Sequence, residues 1–160
     1  MVKPLTDEIF REIRDLIYKE SGIYFPDAKK YFLENKLQAR LKERGLHSYE
    51  EYFFFLKYDP RRYSELNKLF EFITIGETYF FREETQMKAF REKILPELVK
   101  KEENTKKLRI WSAGCATGEE PYSIAIIVFE VLNIFLNQWD VKIIASDINA
   151  QALRKAKAAI

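Results

Sequence analysis

The sequence predicts an all-α N-terminal domain followed by the start of an α/β domain with a Rossmann-like, incomplete parallel sheet. Three observations lead there. Capped, helically periodic segments fill the first seventy-odd residues. The stretch Leu108–Pro121, LRIWSAGCATGEEP, passes from an apolar run through a small-residue loop into a helix start. From Leu108 onward the order is strand, helix, strand, helix, the pattern of parallel strands joined by right-handed crossovers.

The helices follow in order. Thr6 is suited to cap a first helix with Asp7 and Glu8 in its opening turn, and Ile9, Ile13, Leu16 and Ile17 form its apolar stripe up to Ser21-Gly22. Ile23–Pro26 is a short extended connector. Asp27 opens a second helix in which Leu33, Leu37 and Leu41 recur every four residues, while Lys36, Arg40 and Arg44 recur on another face. Ser48 with Glu51 forms a capping box for an aromatic-rich helix, Tyr49–Tyr58. Asp59-Pro60 breaks it, and Arg61 to about Phe72 is a fourth helix with Leu66, Leu69 and Phe70 inward.

Residues 73–83, beginning ITIGETYFFR, lack that periodicity and read as a linker. Glu83–Lys101 is again helical, bent or shortened at Pro96. Leu108–Trp111 reads as a strand buried on both faces. Pro121 falls in the first turn of the next helix, where a missing N–H is harmless. That helix, Tyr122 to about Leu136, is apolar nearly all round, so packing on more than one side is expected. Val141–Ala145 is a second buried strand ending at Ser146-Asp147, and Ala150–Ile160 is a last helix. Two parallel strands are too few for an independent sheet. The chain therefore reads as part of a longer protein, or as one whose sheet another copy completes through its exposed edge.

Composition narrows the chemistry. With 47% apolar residues the chain can bury a core, and a net charge of +2 gives no polyelectrolyte signal for nucleic acid. One cysteine, Cys115, excludes an internal disulfide and fits a reducing cytoplasm. The first residues have neither the charged head nor the apolar run of a signal peptide, and no stretch reaches the roughly 20 apolar residues of a membrane span. With a single histidine, His47, neither a zinc site nor a Cys–His couple is expected.

A strand, a glycine loop and a helix N-terminus suit a nucleotide-like ligand, although the same glycines equally serve a plain turn. Asp147, at the carboxyl end of the second strand beside that loop, is placed to accept hydrogen bonds from a ribose. Its alternative is a helix N-cap, a role for which Asn149 competes. Glu119-Glu120 set negative charge where a pyrophosphate would lie, and no P-loop Lys-Ser/Thr is present. Carboxylates at a helix N-terminus repel anions but suit a ligand with hydroxyls and cationic groups, such as S-adenosylmethionine.

Three strings sharpen this: TYFFRE (Thr78–Glu83), WSAGCATGEEPYSIA (Trp111–Ala125) and ASDI (Ala145–Ile148). In these, in family order and behind a helical domain of the expected size, the chain resembles the chemotaxis-receptor methyltransferase (CheR) family. These are S-adenosylmethionine-dependent protein-glutamate O-methyltransferases, cytoplasmic enzymes of chemotaxis signal transduction that release S-adenosylhomocysteine. The resemblance implies a receptor-docking domain over residues 1–72, a linker over 73–83 that contributes to the cofactor site, and a truncated first part of the cofactor-binding α/β domain over 84–160, so that this chain alone is expected to be incomplete for catalysis and inactive or weak. It implies cofactor contacts from Thr78, Arg82, Ala113, Gly114, Gly118, Glu119, Glu120 and Asp147. Glu120 is favoured over Glu119, which the sequence alone does not separate. Arg82 is also the implied catalytic residue, orienting a carboxylate; its alternative is an ion pair with Glu83 or Glu84. Tyr79, Phe80 and Phe81 read as packing rather than adenine stackers. The family's usual Asn-Glu-Thr is Gly76-Glu77-Thr78 here, so one side-chain amide is missing. Lys36, Arg40 and Arg44 would dock the acidic methylation region of a chemoreceptor, unless they are simply a solvated face. The remaining alternative is a non-catalytic receptor- or partner-binding module derived from the same family.

Overall fold

The computed structural model describes residues 3–159, which form two compact units divided between Thr74 and Ile75. The first unit packs four helices, α1 (Asp7–Ser21), α2 (Lys30–Arg44), α3 (Tyr49–Tyr58) and α4 (Arg62–Ile73), with one 3-10 turn at Asp27–Lys29. Thr6 Oγ1 accepts the Ile9 N–H to start α1, and Gly22, at φ +75°, ends it in the left-handed conformation that glycine adopts without a Cβ penalty. Ser48 accepts the Glu51 N–H, but Glu51 returns its bond to the N–H of His47 rather than to that of the cap residue. Phe10, Ile13, Ile17, Leu33, Leu37, Leu41, Tyr52, Leu56, Leu66 and Leu69 form the core of this unit. Ile73, expected in the linker, is buried as the last residue of α4.

The second row on α2 departs most from expectation. Arg40 is not on an accessible face: it is 1% exposed and grips Glu65 of α4, itself 2% exposed. Its Nε and Nη2 each donate at 2.9 Å to separate Glu65 oxygens, while Nη1 donates to Glu43. Tyr52 Oη donates to the same carboxylate at 2.9 Å, and Arg44 stands 3.5 Å from it. Four donor groups thus converge on a carboxylate whose burial would otherwise be prohibitive. Lys36 is half-buried with its ammonium 5.5 Å from the Phe32 ring centroid. The outward face of α2 instead presents Tyr31, Asn35, Gln38 and Lys42.

In the second unit, the irregular segment 75–83 leads into α5 (Glu84–Ala89), a π-helical turn (Phe90–Ile94) and α6 (Leu95–Lys101). The π turn ends two residues before Pro96, which has no N–H to give and whose ring collides with the carbonyl four residues back; widening the helix there accommodates both defects. Strands β1 (Lys107–Ala113) and β2 (Asp140–Ser146) are parallel, with Lys107 opposite Asp140 and Ala113 opposite Ser146. Between them run α7 (Glu119–Leu132) and a 3-10 turn (Asn133–Gln138); α8 (Ala150–Ala158) follows β2. Ile160, the expected last residue of that helix, lies outside the described residues.

Leu95, Leu108, Ile124, Ile127, Val128, Leu132 and Trp139 form this unit's core. Two expectations are corrected. Neither strand is buried on both faces: in β1 Leu108 and Ser112 are buried whereas Arg109 and Trp111 are exposed, and β2, expected to be buried, leaves Lys142, Ile144 and Ala145 exposed. α7 is likewise packed on one side, leaving Tyr122, Ile126 and Phe129 exposed despite its apolar sequence. The two tryptophans sit in opposite environments, Trp111 being 69% and Trp139 9% exposed. Trp111 Nε1 donates to Ser146 Oγ across the strand pair at 2.9 Å.

Candidate functional site

The loop between β1 and α7 is bound to the end of β2 by its backbone. The N–H groups of Gly114 and Cys115 both donate to the Ser146 carbonyl, at 2.8 and 2.9 Å. The Ala116 N–H donates to Asp147 Oδ2 at 2.8 Å, and Asp147 Oδ1 accepts the Asn149 N–H at 2.7 Å. Asn149, not Asp147, caps α8, accepting the Ala152 N–H. Asp147 is thereby freed to shape the loop, and each of its oxygens keeps a lone pair for a further donor. Buried Cys115 has its thiol pushed up in pKa, first by burial and then by the Asp147 carboxylate, so it is an inert loop residue.

The loop's two glycines serve different ends. Gly114 has φ +78° with nothing within 4 Å of where a Cβ would stand, which leaves backbone open to a ligand. Gly118 has φ +106°, and a Cβ there would meet Ala156 at 3.0 Å, so this glycine lets α8 pack against the start of α7. Expected as a cofactor contact, Gly118 is buried against protein instead. Tyr122 Oη, donating to the Ala156 carbonyl at 3.3 Å, joins the same two helices. Ala113 ends β1 on its exposed side.

The paired acids separate. Glu120 Oε1 accepts the hydroxyl of Ser112 at 2.6 Å and so is drawn back over the carboxyl end of β1, where Ser112 is buried. Glu119 accepts from Thr117 at 2.7 Å and remains with its own turn. Both acids occupy the first turn of α7, where the helix dipole favours negative charge. The sequence held no sign of Ser112, because a serine inside a strand is an ordinary residue until its partner is known.

Segment 75–83 begins against the loop: a Cβ at Gly76 would lie 4.0 Å from the Ala116 Cβ, an ordinary contact, so a Cβ is accommodated there. Arg82 donates to the Glu77 carbonyl, closing this segment on itself, and its Nε is 4.0 Å from Glu83. Half of its side chain is exposed, leaving donors for a ligand. Thr78 is half-buried between those anchors. Beside them, Phe80, Thr117, Tyr122, Ile126 and Phe129 line a shallow apolar groove of about 620 Å³. Among the described residues no His, Cys, Asp and Glu side chains cluster as metal ligands, and no helix is long and apolar enough to cross a membrane.

These features fit a ligand bearing hydroxyls and positive charge: an open backbone loop, an aspartate with spare acceptor capacity and a second carboxylate 8 positions from its strand serine.

Comparison with known proteins agrees. Residues 8–74 match the family model of the CheR methyltransferase all-alpha domain, and residues 76–160 match that of the CheR methyltransferase SAM binding domain. A chemotaxis protein methyltransferase 2 of Vibrio cholerae is 38% identical over 152 residues, covering 95% of this chain and 52% of that protein. Chemotaxis protein methyltransferases of Borreliella burgdorferi and Salmonella typhimurium are 37% and 36% identical over 156 residues, covering 96% and 98% of this chain and 54% and 51% of theirs. The chain spans about half the length of the curated relatives it matches. Matched by family models on either side of its unit boundary, it belongs to the CheR methyltransferase family, with an all-α domain followed by sequence of the S-adenosylmethionine-binding domain.

Proposed function

We propose that this chain forms the front part of an enzyme that methylates glutamate side chains of chemotaxis receptors, giving glutamate methyl esters. The observation that carries the proposal is the meeting of Asp147, the Gly114–Ala116 loop and Glu120 at the carboxyl end of two parallel strands. When bound there, S-adenosylmethionine supplies a methyl carbon activated by its sulfonium, and S-adenosylhomocysteine is the product. Asp147 accepts the ribose hydroxyls with its remaining lone pairs. Gly114 lets the backbone approach closely, and Glu120 faces the positive end of the ligand.

A substrate glutamate, with an ordinary pKa near 4.3, is already a carboxylate at neutral pH, so no general base is required. The protein's work is to align and desolvate that carboxylate. Arg82 serves this with the guanidinium donors left over from Glu77. Thr78, two residues beyond Gly76, adds a hydroxyl contact. Lys36 and Arg44 remain the proposed docking cations on α2, with Arg40 acting beneath them as a buried strut.

The test is methyl transfer from isotopically labelled S-adenosylmethionine to a receptor methylation-region fragment. The expected product releases its label as methanol in mild alkali. Base-stable label would overturn the glutamate assignment. Ligand binding without transfer would instead support the second reading, a receptor- or partner-binding module.

A further inference from the structure

Ser123 lies in the second turn of α7, fully buried, and makes two hydrogen bonds that leave its hydroxyl no freedom. Its single hydrogen goes to the Glu119 carbonyl at 2.6 Å, and its oxygen accepts the Phe81 N–H at 2.9 Å across 42 positions of sequence. The first bond is the back-bonding to residue i−4 that a helical serine can make. The second reaches outside the helix and fastens an otherwise irregular segment to it.

That segment is strained where it is fastened. Phe81 has φ +57° and Glu83 φ +59°, left-handed conformations that residues with a Cβ adopt only when their surroundings enforce them. Three contacts do so. Ser123 holds the Phe81 N–H, the Phe81 ring packs against the core that includes Leu95 and Ile127, and the Arg82 N–H closes a turn onto the Tyr79 carbonyl at 3.2 Å. At its front end the segment rests against the loop, with Gly76 beside Ala116. Thr78 therefore lies between two anchors, and Arg82 directly follows the second.

We propose that Ser123 is a positioning residue: its hydroxyl latches Phe81 to the first turns of α7, setting Thr78 and Arg82 in register with Glu119, Glu120 and the loop. It touches no ligand itself. The inference rests on the reading of this site as the S-adenosylmethionine site and adds what holds its roof to its floor. A serine here is specific. Alanine deletes the acceptor and leaves a half-buried N–H unmet, a loss felt locally because α7 keeps its own backbone bonds.

The experiment measures amide hydrogen exchange and S-adenosylhomocysteine binding by NMR on the longer enzyme of which this chain is proposed to form the front part. In Ser123→Ala the Phe81 amide is expected to exchange at least tenfold faster, with the amides of Ile127 and Val128 unchanged, and the Kd to rise at least fivefold. Leu132→Ala, a buried truncation at the far end of α7, should lower thermal stability while leaving both readings as in the wild type. If Ser123→Ala opens every amide together, replacement of Phe81 by its α-hydroxy acid decides. It removes only the donor, and faster exchange at Arg82 with a raised Kd is then expected. Unchanged exchange overturns the latch, and faster exchange with an unchanged Kd overturns the positioning role. Absence of any binding by the wild-type longer enzyme overturns the site reading, and positioning with it, while the exchange result still reports the latch.

Discussion

Asp147 and Ala116 stand 31 positions apart in sequence, yet the carboxylate of the first accepts the backbone N–H of the second at 2.8 Å. The aspartate thus shapes the loop as well as being the proposed ribose acceptor. In the longer enzyme of which this chain is proposed to form the front part, Asp147→Ala should weaken S-adenosylhomocysteine binding at least tenfold, about 1.4 kcal/mol. Asp147→Asn, which keeps one oxygen for the loop, should lose less. Calorimetry giving equal affinity for the wild type and the alanine variant would rule out the ribose contact.

Glu120 and Glu119 adjoin in sequence but reach different partners, Ser112 and Thr117. Glu120→Gln should raise the Kd for the cofactor roughly tenfold, or ~1.4 kcal/mol, and Glu119→Gln no more than about twofold. The reverse ranking in a titration would assign the contact to Glu119.

The Arg40–Glu65 pair bears on stability. Breaking a buried pair by removing one partner typically costs about 3–5 kcal/mol, since the remaining charge is left in the core. Arg40→Ala should fall in that range in urea denaturation followed by circular dichroism. Arg40→Lys should recover only part, because an ammonium cannot bridge two carboxylate oxygens as the guanidinium does. A loss below about 1 kcal/mol would mean that water reaches Glu65 freely.

Asp140 at the start of β2 is held below the ordinary aspartate value of 3.8, first by its hydrogen bond from Arg109 on β1. A folded pKa below the unfolded one adds stability above the unfolded value, and that stability is lost as pH falls through the folded value. The acid limb of a thermal stability profile should therefore be shallower in Asp140→Asn, which lacks the contribution at neutrality and converges on the wild type in acid, the whole effect being small because the pair is exposed. An acid limb of unchanged slope below about pH 4 would show the pair to be inconsequential.

Local signals were legible and long-range ones were not. Thr6, Ser48 and the glycine after α1 marked helix ends because capping is settled within a few residues. The loop and Asp147 were legible because strand order brings the carboxyl ends of parallel strands together. Arg40 was misread because Lys36, Arg40 and Arg44 share the spacing of a solvated stripe, and only Glu65, 25 positions away, draws the middle one inward. Ser112 and Ser123 were invisible for the same reason, each acquiring meaning from a partner that the fold supplies. The apolar sequence of α7 suggested burial all round, yet composition cannot say how many neighbours a helix has.

The contrast between Trp111 and Trp139 has a practical consequence for optical measurement. These are the chain's two tryptophans, and both belong to the second unit. Indole fluorescence is thus silent on the helical unit, whose melting must be followed by ellipticity or tyrosine emission. Trp139, enclosed beneath the Lys106 ammonium, should report unfolding of the α/β unit as a red shift. Trp111, exposed and bonded to the residue preceding Asp147, stands next to the loop and should change its emission when a ligand settles there. Replacing either indole with phenylalanine leaves one chromophore, so that occupancy of the site and integrity of its scaffold can be read in separate samples of the same protein.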